Sequence, residues 1–102
     1  MDAVQDNPGS EIRVIVKIFG GLRTHAFREL DAFPVPKGAT IESLLSLMST
    51  RSALLVEKIE DGLSAGYLNT LVNGRNIRFL EERATQLQDG DTIAFLPPVG
   101  GG

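Results

Sequence analysis

Between Ile12 and Phe19 the chain alternates with a period of two, Ile12, Val14, Val16 and Ile18 falling on one face while Arg13 and Lys17 point the other way. A strand with one apolar face must be covered, and the sequence supplies the cover further on. Thr40 is placed as a helix N-cap, Glu42 lies in the first turn, and Ile41, Leu44, Leu45 and Met48 follow at the spacing of one buried helical stripe. A helix with a single apolar stripe lying on strands with one apolar face is a two-layer α+β domain.

The remaining segments fit that plan. Gly20-Gly21 permits a turn, and a second extended segment is expected between Phe27 and Val35, at a sheet edge because Pro34 cannot donate to a ladder. Its irregular alternation leaves the register open. A shorter second helix is predicted over Ala53 to Glu60, with Ser52 as its cap, Leu55 and Ile59 one turn apart and Gly62 as its stop, followed by a flexible connection from Asp61 to Gly66. Tyr67 to Val72 reads as a strand closed by Asn73-Gly74, the dipeptide most favourable to a tight hairpin, with a short return strand around Arg75 to Ile77. After Phe79 and Leu80 comes a polar loop with Glu81, Glu82 and Arg83. Asp89-Gly90-Asp91 then turns the chain into a last strand, Thr92 to Leu96.

At 102 residues, 42% hydrophobic and 23% charged, the chain has the composition of one ordinary globular domain. We expect a flexible leader over 1–10, a folded domain over 11–96 and a flexible tail over 97–102. No run approaches the ~20 apolar residues of a membrane span, and Met1 to Ser10 lacks the basic start and apolar middle of a secretory signal. Cysteine is absent, which excludes disulfides and thiolate chemistry by this chain and makes the cytoplasm the expected location. A net charge of −3 without a basic run argues against nucleic acid as a partner.

Few residues offer chemistry of their own. His25 is the single histidine, with no acids and cysteines clustered around it in sequence, so no metal site is expected. Gly20-Gly21 lacks the rest of a phosphate loop. Arg23, Arg75, Glu81, Glu82, Asp89 and Asp91 read first as solvated surface, and Phe79 and Leu80 either cap the core or join Phe95 in an apolar docking patch.

The tail is different. Pro97-Pro98 fixes φ and carries the chain away from the last strand, and Val99-Gly100-Gly101-Gly102 follows with almost no side chain. Three glycines are entropically expensive to immobilise, which makes sense if a partner's narrow cleft must close around bare backbone. A fully extended arm from Pro97 to Gly102 would reach roughly 20 Å. The expected working group is the Gly102 carboxylate, with Pro97, Pro98, Val99, Gly100 and Gly101 as the partner-binding arm.

The segment Gln88-Asp89-Gly90-Asp91-Thr92-Ile93-Ala94-Phe95-Leu96-Pro97-Pro98-Val99-Gly100-Gly101-Gly102, with Leu71-Val72-Asn73-Gly74 and the hairpin at Phe19 to Arg23, resembles the molybdopterin synthase small-subunit family of ubiquitin-like sulfur carriers. The combination of Asp-Gly-Asp, Phe-Leu-Pro-Pro-Val and terminal Gly-Gly carries the resemblance. It implies a ubiquitin-like β-grasp fold, with a mixed sheet of four to five strands on one main helix. It further implies that Gly102 is adenylated with ATP by a ubiquitin-activating-enzyme-like adenylyltransferase. A sulfur-donating enzyme then converts it to a thiocarboxylate, and the sulfur passes to a pterin precursor inside the large synthase subunit. The chain would be the non-catalytic small subunit and would bind no cofactor itself. Gly100, where a bulkier residue is usual, and the long leader depart from the family pattern. They leave open tungsten cofactor, thiamine or tRNA thiolation, or conjugation to lysines as a protein modifier; an interaction module with an idle tail is a third class.

Overall fold

In a computed structural model, residues 10–19 and 29–98 are described. Most of the expected leader, the turn expected at Gly20-Gly21, Arg23, His25 and the end of the expected tail, Val99 to Gly102, lie outside the described residues. The elements in order are β1 (Glu11–Ile18), β2 (Glu29–Pro36), α1 (Ile41–Ser49), α2 (Ala53–Ala65), β3 (Asn69–Val72), β4 (Arg75–Asn76) and β5 (Thr92–Leu96), with short 3-10 turns at Ile77–Phe79 and Glu82–Ala84. The strands form one mixed sheet in the order β2-β1-β5-β3-β4. β5 runs parallel to β1 and antiparallel to β3, so the last strand in sequence occupies the middle of the sheet.

β1 buries Ile12, Val14, Val16 and Ile18, as its alternation predicts. β2 is the expected edge, and its irregular pattern has a physical cause. Val14 faces Phe33 but Val16 faces Leu30, so β2 carries an extra residue there, and Ala32 takes a left-handed φ of 62°. This bulge breaks the period of two that sequence reading relies on.

The start of α1 is a reciprocal cap: the Thr40 hydroxyl accepts from the Ser43 N–H at 3.2 Å, and the Ser43 hydroxyl accepts from the Thr40 N–H at 3.2 Å. Ile41, Leu44, Leu45 and Met48 are all buried. The Ser52 hydroxyl accepts from the Leu55 N–H and opens α2.

α2 departs from expectation at its other end. Gly62 does not stop it; the helix continues through Asp61–Ala65 and ends at Gly66, whose φ of 83° is the left-handed cap. The Gly62 carbonyl accepts from the N–H groups of both Tyr67 and Leu68, and Leu68 folds back over the glycine. Glycine is there for close approach rather than for a turn. As a result α2 is the longer helix, and the sheet is covered by two helices rather than one.

Tyr67 and Leu68 precede β3 instead of belonging to it. Asn73 (φ 51°) and Gly74 (φ 86°) form the left-handed turn that Asn-Gly predicts. β4 lasts two residues before Ile77 enters a 3-10 turn. A single core runs from Ile12 to Phe95, drawing on both helices and on Leu87 from the last loop.

Candidate functional site

β5 positions the site. Ile93 and Phe95 point to the helices and are fully buried, while Thr92, Ala94 and Leu96 face the helix-free side of the sheet. Phe95 therefore does not belong to a docking patch. Its side chain is 0% exposed, and its carbonyl accepts from the Phe19 N–H. The parity of the strand settles this: Phe95 shares its face with Ile93, Val16 and Ile18.

Phe79 has the opposite environment. It is 74% exposed on its 3-10 turn, with the Arg78 guanidinium 5.9 Å from the ring centroid. Leu80 is half-buried and packs against the core, so of the two adjacent residues only Leu80 caps it.

Leu71, Leu96 and Pro97, which the sequence did not single out together, join Phe79 in a shallow groove with Arg75 and Asn76 at its rim. Antiparallel pairing of β3 with β5 makes the groove, since Leu71 lies opposite Ala94 and Asn69 opposite Leu96. Pro97 and Pro98 carry the chain off β5 beside it. Alternation in β3 and β5, read as a pair, is the signal that identifies Leu71 and Leu96.

The acidic residues mostly hold turns. Asp89 accepts from the Arg13 N–H at 2.9 Å, and Asp91 accepts from the Asn73 amide at 2.9 Å and from the Gln88 N–H at 2.8 Å. Glu81 and Glu82 are exposed, as is Arg75. Arg83 bonds Glu60 and Glu42; the hydrogen bonds from Arg83 hold the Glu60 carboxyl below its ordinary range, and those to Glu60 and then Glu42 push the guanidinium above its own. Among the described residues no group of His, Asp or Glu side chains is placed to hold a metal ion, and no helix is long and apolar enough to cross a membrane. The groove lies beside the exit of β5, and among the described residues it holds no assembled acid–base or nucleophilic machinery.

The sequence profile of the ThiS family matches residues 16–102. The chain belongs to the ThiS family. Small archaeal modifier protein 3 of Haloferax volcanii is 41% identical over 69 residues, 67% of this chain and 75% of the relative. The sulfur carrier protein CysO of Mycobacterium tuberculosis (strain H37Rv) is 32% identical over 69 residues, 64% of this chain and 74% of the relative. Among solved structures, small archaeal modifier protein 1 of Methanosarcina acetivorans is 40% identical with a TM-score of 0.65, over 90% of this chain and 98% of the other. Molybdopterin converting factor subunit 1 of Pyrococcus furiosus is 30% identical with a TM-score of 0.62, over 86% of this chain and 99% of the other. This ThiS-family chain is thus a ubiquitin-like β-grasp protein of the sulfur-carrier and small-modifier type, and the five-stranded mixed sheet is that fold.

Proposed function

We propose that this protein carries sulfur on the carboxylate of Gly102 and donates it in molybdopterin synthesis as the small subunit of a molybdopterin synthase. The observation that carries the reading is the exit of the central strand through Pro97 and Pro98 beside the Leu71, Phe79 and Leu96 groove. A body that docks by this face would send residues 99–102 into a partner's active site. Likeness to a molybdopterin converting factor subunit supports the pathway.

A free carboxylate is a poor electrophile, because its charge is spread over two oxygens and neither leaves readily. Attack of a Gly102 oxygen on the α-phosphorus of ATP, in a ubiquitin-activating-enzyme-like partner, releases pyrophosphate and leaves an acyl-adenylate. Hydrosulfide supplied by a sulfur-donating enzyme then attacks the carbonyl and displaces AMP, losing its proton to give the thiocarboxylate. Partners supply the nucleotide site and bases; this chain supplies the electrophile and its delivery. Within the large synthase subunit the sulfur passes to the pterin precursor.

The archaeal modifier relatives favour a second reading, in which a lysine amine rather than sulfur attacks the same adenylate and forms an isopeptide bond. The intact mass of the protein isolated from its own cells tests both. Replacement of one terminal oxygen by sulfur supports the carrier. Attachment through Gly102 to lysines of other proteins supports the modifier, and an unaltered Gly102 after incubation with the activating enzyme, ATP and both a sulfide source and lysine-bearing acceptor proteins overturns both.

A further inference from the structure

The sequence holds four asparagines, and in only one, Asn73-Gly74, is the next residue a glycine; Asn7 precedes proline, Asn69 threonine and Asn76 isoleucine. Deamidation begins when the following backbone nitrogen attacks the side-chain amide carbon. Proline has no N–H to lose, and β-branched neighbours crowd that approach, whereas glycine leaves it open. Asn73 is exposed at the tip of the β3–β4 hairpin, in reach of water.

The same side chain is held by β5. Its Nδ2 donates to Asp91 Oδ1 at 2.9 Å, its Oδ1 accepts from the Thr92 N–H at 2.9 Å, and its backbone N–H donates to the Thr92 carbonyl at 2.8 Å. Both polar atoms of the amide are thereby turned to the start of the central strand. Carrying the amide carbon to the Gly74 nitrogen breaks the two side-chain bonds, one of them to a carboxylate.

We propose that Asn73 is a latched deamidation site: Asp91 and Thr92 hold its amide away from Gly74, and conversion of the residue loosens the tip of the β3–β4 hairpin from the start of β5, the β3–β5 ladder itself remaining. In the covalent step the deprotonated Gly74 nitrogen bonds to Asn73 Cγ, the Cγ–Nδ2 bond breaks, and ammonia leaves with a proton from water. Water then opens the five-membered imide at either carbonyl, giving an aspartyl or an isoaspartyl residue, with no oxidant or cofactor required. Either product has lost the donor that bonded Asp91 and sets a second carboxylate against it. The consequence reaches the groove, because Leu71, Gly74 and Arg75 belong to this hairpin.

The test is incubation of the full chain in mildly alkaline buffer, with peptide mass spectrometry at Asn73 and an isoaspartate-specific assay. Three samples are compared: native protein, protein unfolded in urea, and a folded Asp91→Ala variant. Losing the latch is expected to speed deamidation roughly tenfold or more in the last two, Asp91→Ala losing the charged hydrogen bond and the unfolded protein the neutral one as well. In aged native protein the Thr92 amide is expected to exchange faster with solvent than in fresh protein. Equal rates in native and urea-unfolded protein overturn the proposal without reliance on the variant. So does conversion at Asn73 that leaves Thr92 protection unchanged.

Discussion

Arg83 grips Glu60 with both arms of its guanidinium, Nη1 to Oε1 at 2.7 Å and Nη2 to Oε2 at 2.7 Å, and so fastens the loop after β4 to α2. Its Nε reaches Glu42 on α1 at 2.6 Å, making one cation the junction of both helices. With side-chain exposures of 36% for Arg83 and 38% for Glu60 the pair is screened, so Glu60→Gln is expected to cost only about 0.5–1 kcal/mol at neutral pH. Because the folded Glu60 carboxyl titrates below its unfolded value, the contribution is complete above the ordinary carboxylate range and disappears as pH falls through the lowered folded value. Thermal melts of wild type and Glu60→Gln should therefore differ by a few degrees at pH 7 and converge in acid. A gap that does not change with pH would remove the ion pair as its source.

Gly62 is a glycine because of its neighbour, not its backbone. A Cβ there would lie 2.7 Å from Leu68 Cδ1 and 2.8 Å from Cγ, too near for the leucine to yield by moving its tip alone. Gly62→Ala gains about 1 kcal/mol in helix propensity but overpacks Leu68 by about 1–3 kcal/mol, so a net loss of about 1 kcal/mol is expected. The loss should vanish in a Leu68→Ala background, where the alanine at 62 becomes stabilising. Denaturant melts of the four-member cycle measure that coupling.

These two sites mark where sequence reading succeeded and failed. Period-two and helical stripes placed β1, β5 and α1, the Thr40 and Ser52 caps were legible from residue type, and Asn-Gly gave the hairpin, because each is a local relation. Gly62 looks like a helix stop in sequence because a glycine kept for packing and one kept for left-handed φ are alike until Leu68 is seen beside it. The β2 register was hidden by the bulge at Ala32. Phe95 sits next to the tail in sequence, which suggests the docking surface, although its alternation with Ile93 points inward, and the groove of Leu71 and Leu96 depends on two strands pairing across more than twenty residues of sequence.

Variants of Phe79 and Phe95 test docking and folding separately. Phe79→Ser removes an exposed ring and should leave stability within about 0.5 kcal/mol of wild type, while weakening capture by the activating enzyme roughly tenfold. Phe95→Ala empties the middle of the core and should cost about 3–5 kcal/mol, with partner binding falling only as far as the protein unfolds. Calorimetric binding and thermal melts on both variants check the division. Unchanged affinity for Phe79→Ser would place the docking face elsewhere on the protein.

Among the described residues the buried cluster runs from Ile12 to Phe95, and Pro97 is exposed. Removing Gly102, or adding one residue after it, should consequently leave the melting temperature unchanged. Chemistry should respond differently. An acyl-adenylate forms only where the carboxylate meets the α-phosphorus in line, and displacing it by one residue, roughly 3.5 Å, lies far beyond the tolerance of such a reaction. ATP–pyrophosphate exchange by the activating enzyme should fall to background with either variant, whereas replacing Val99 by alanine should retain most of it, the arm's length being kept. Exchange at the wild-type rate with a shortened or lengthened tail would mean that the reacting group is not the Gly102 carboxylate.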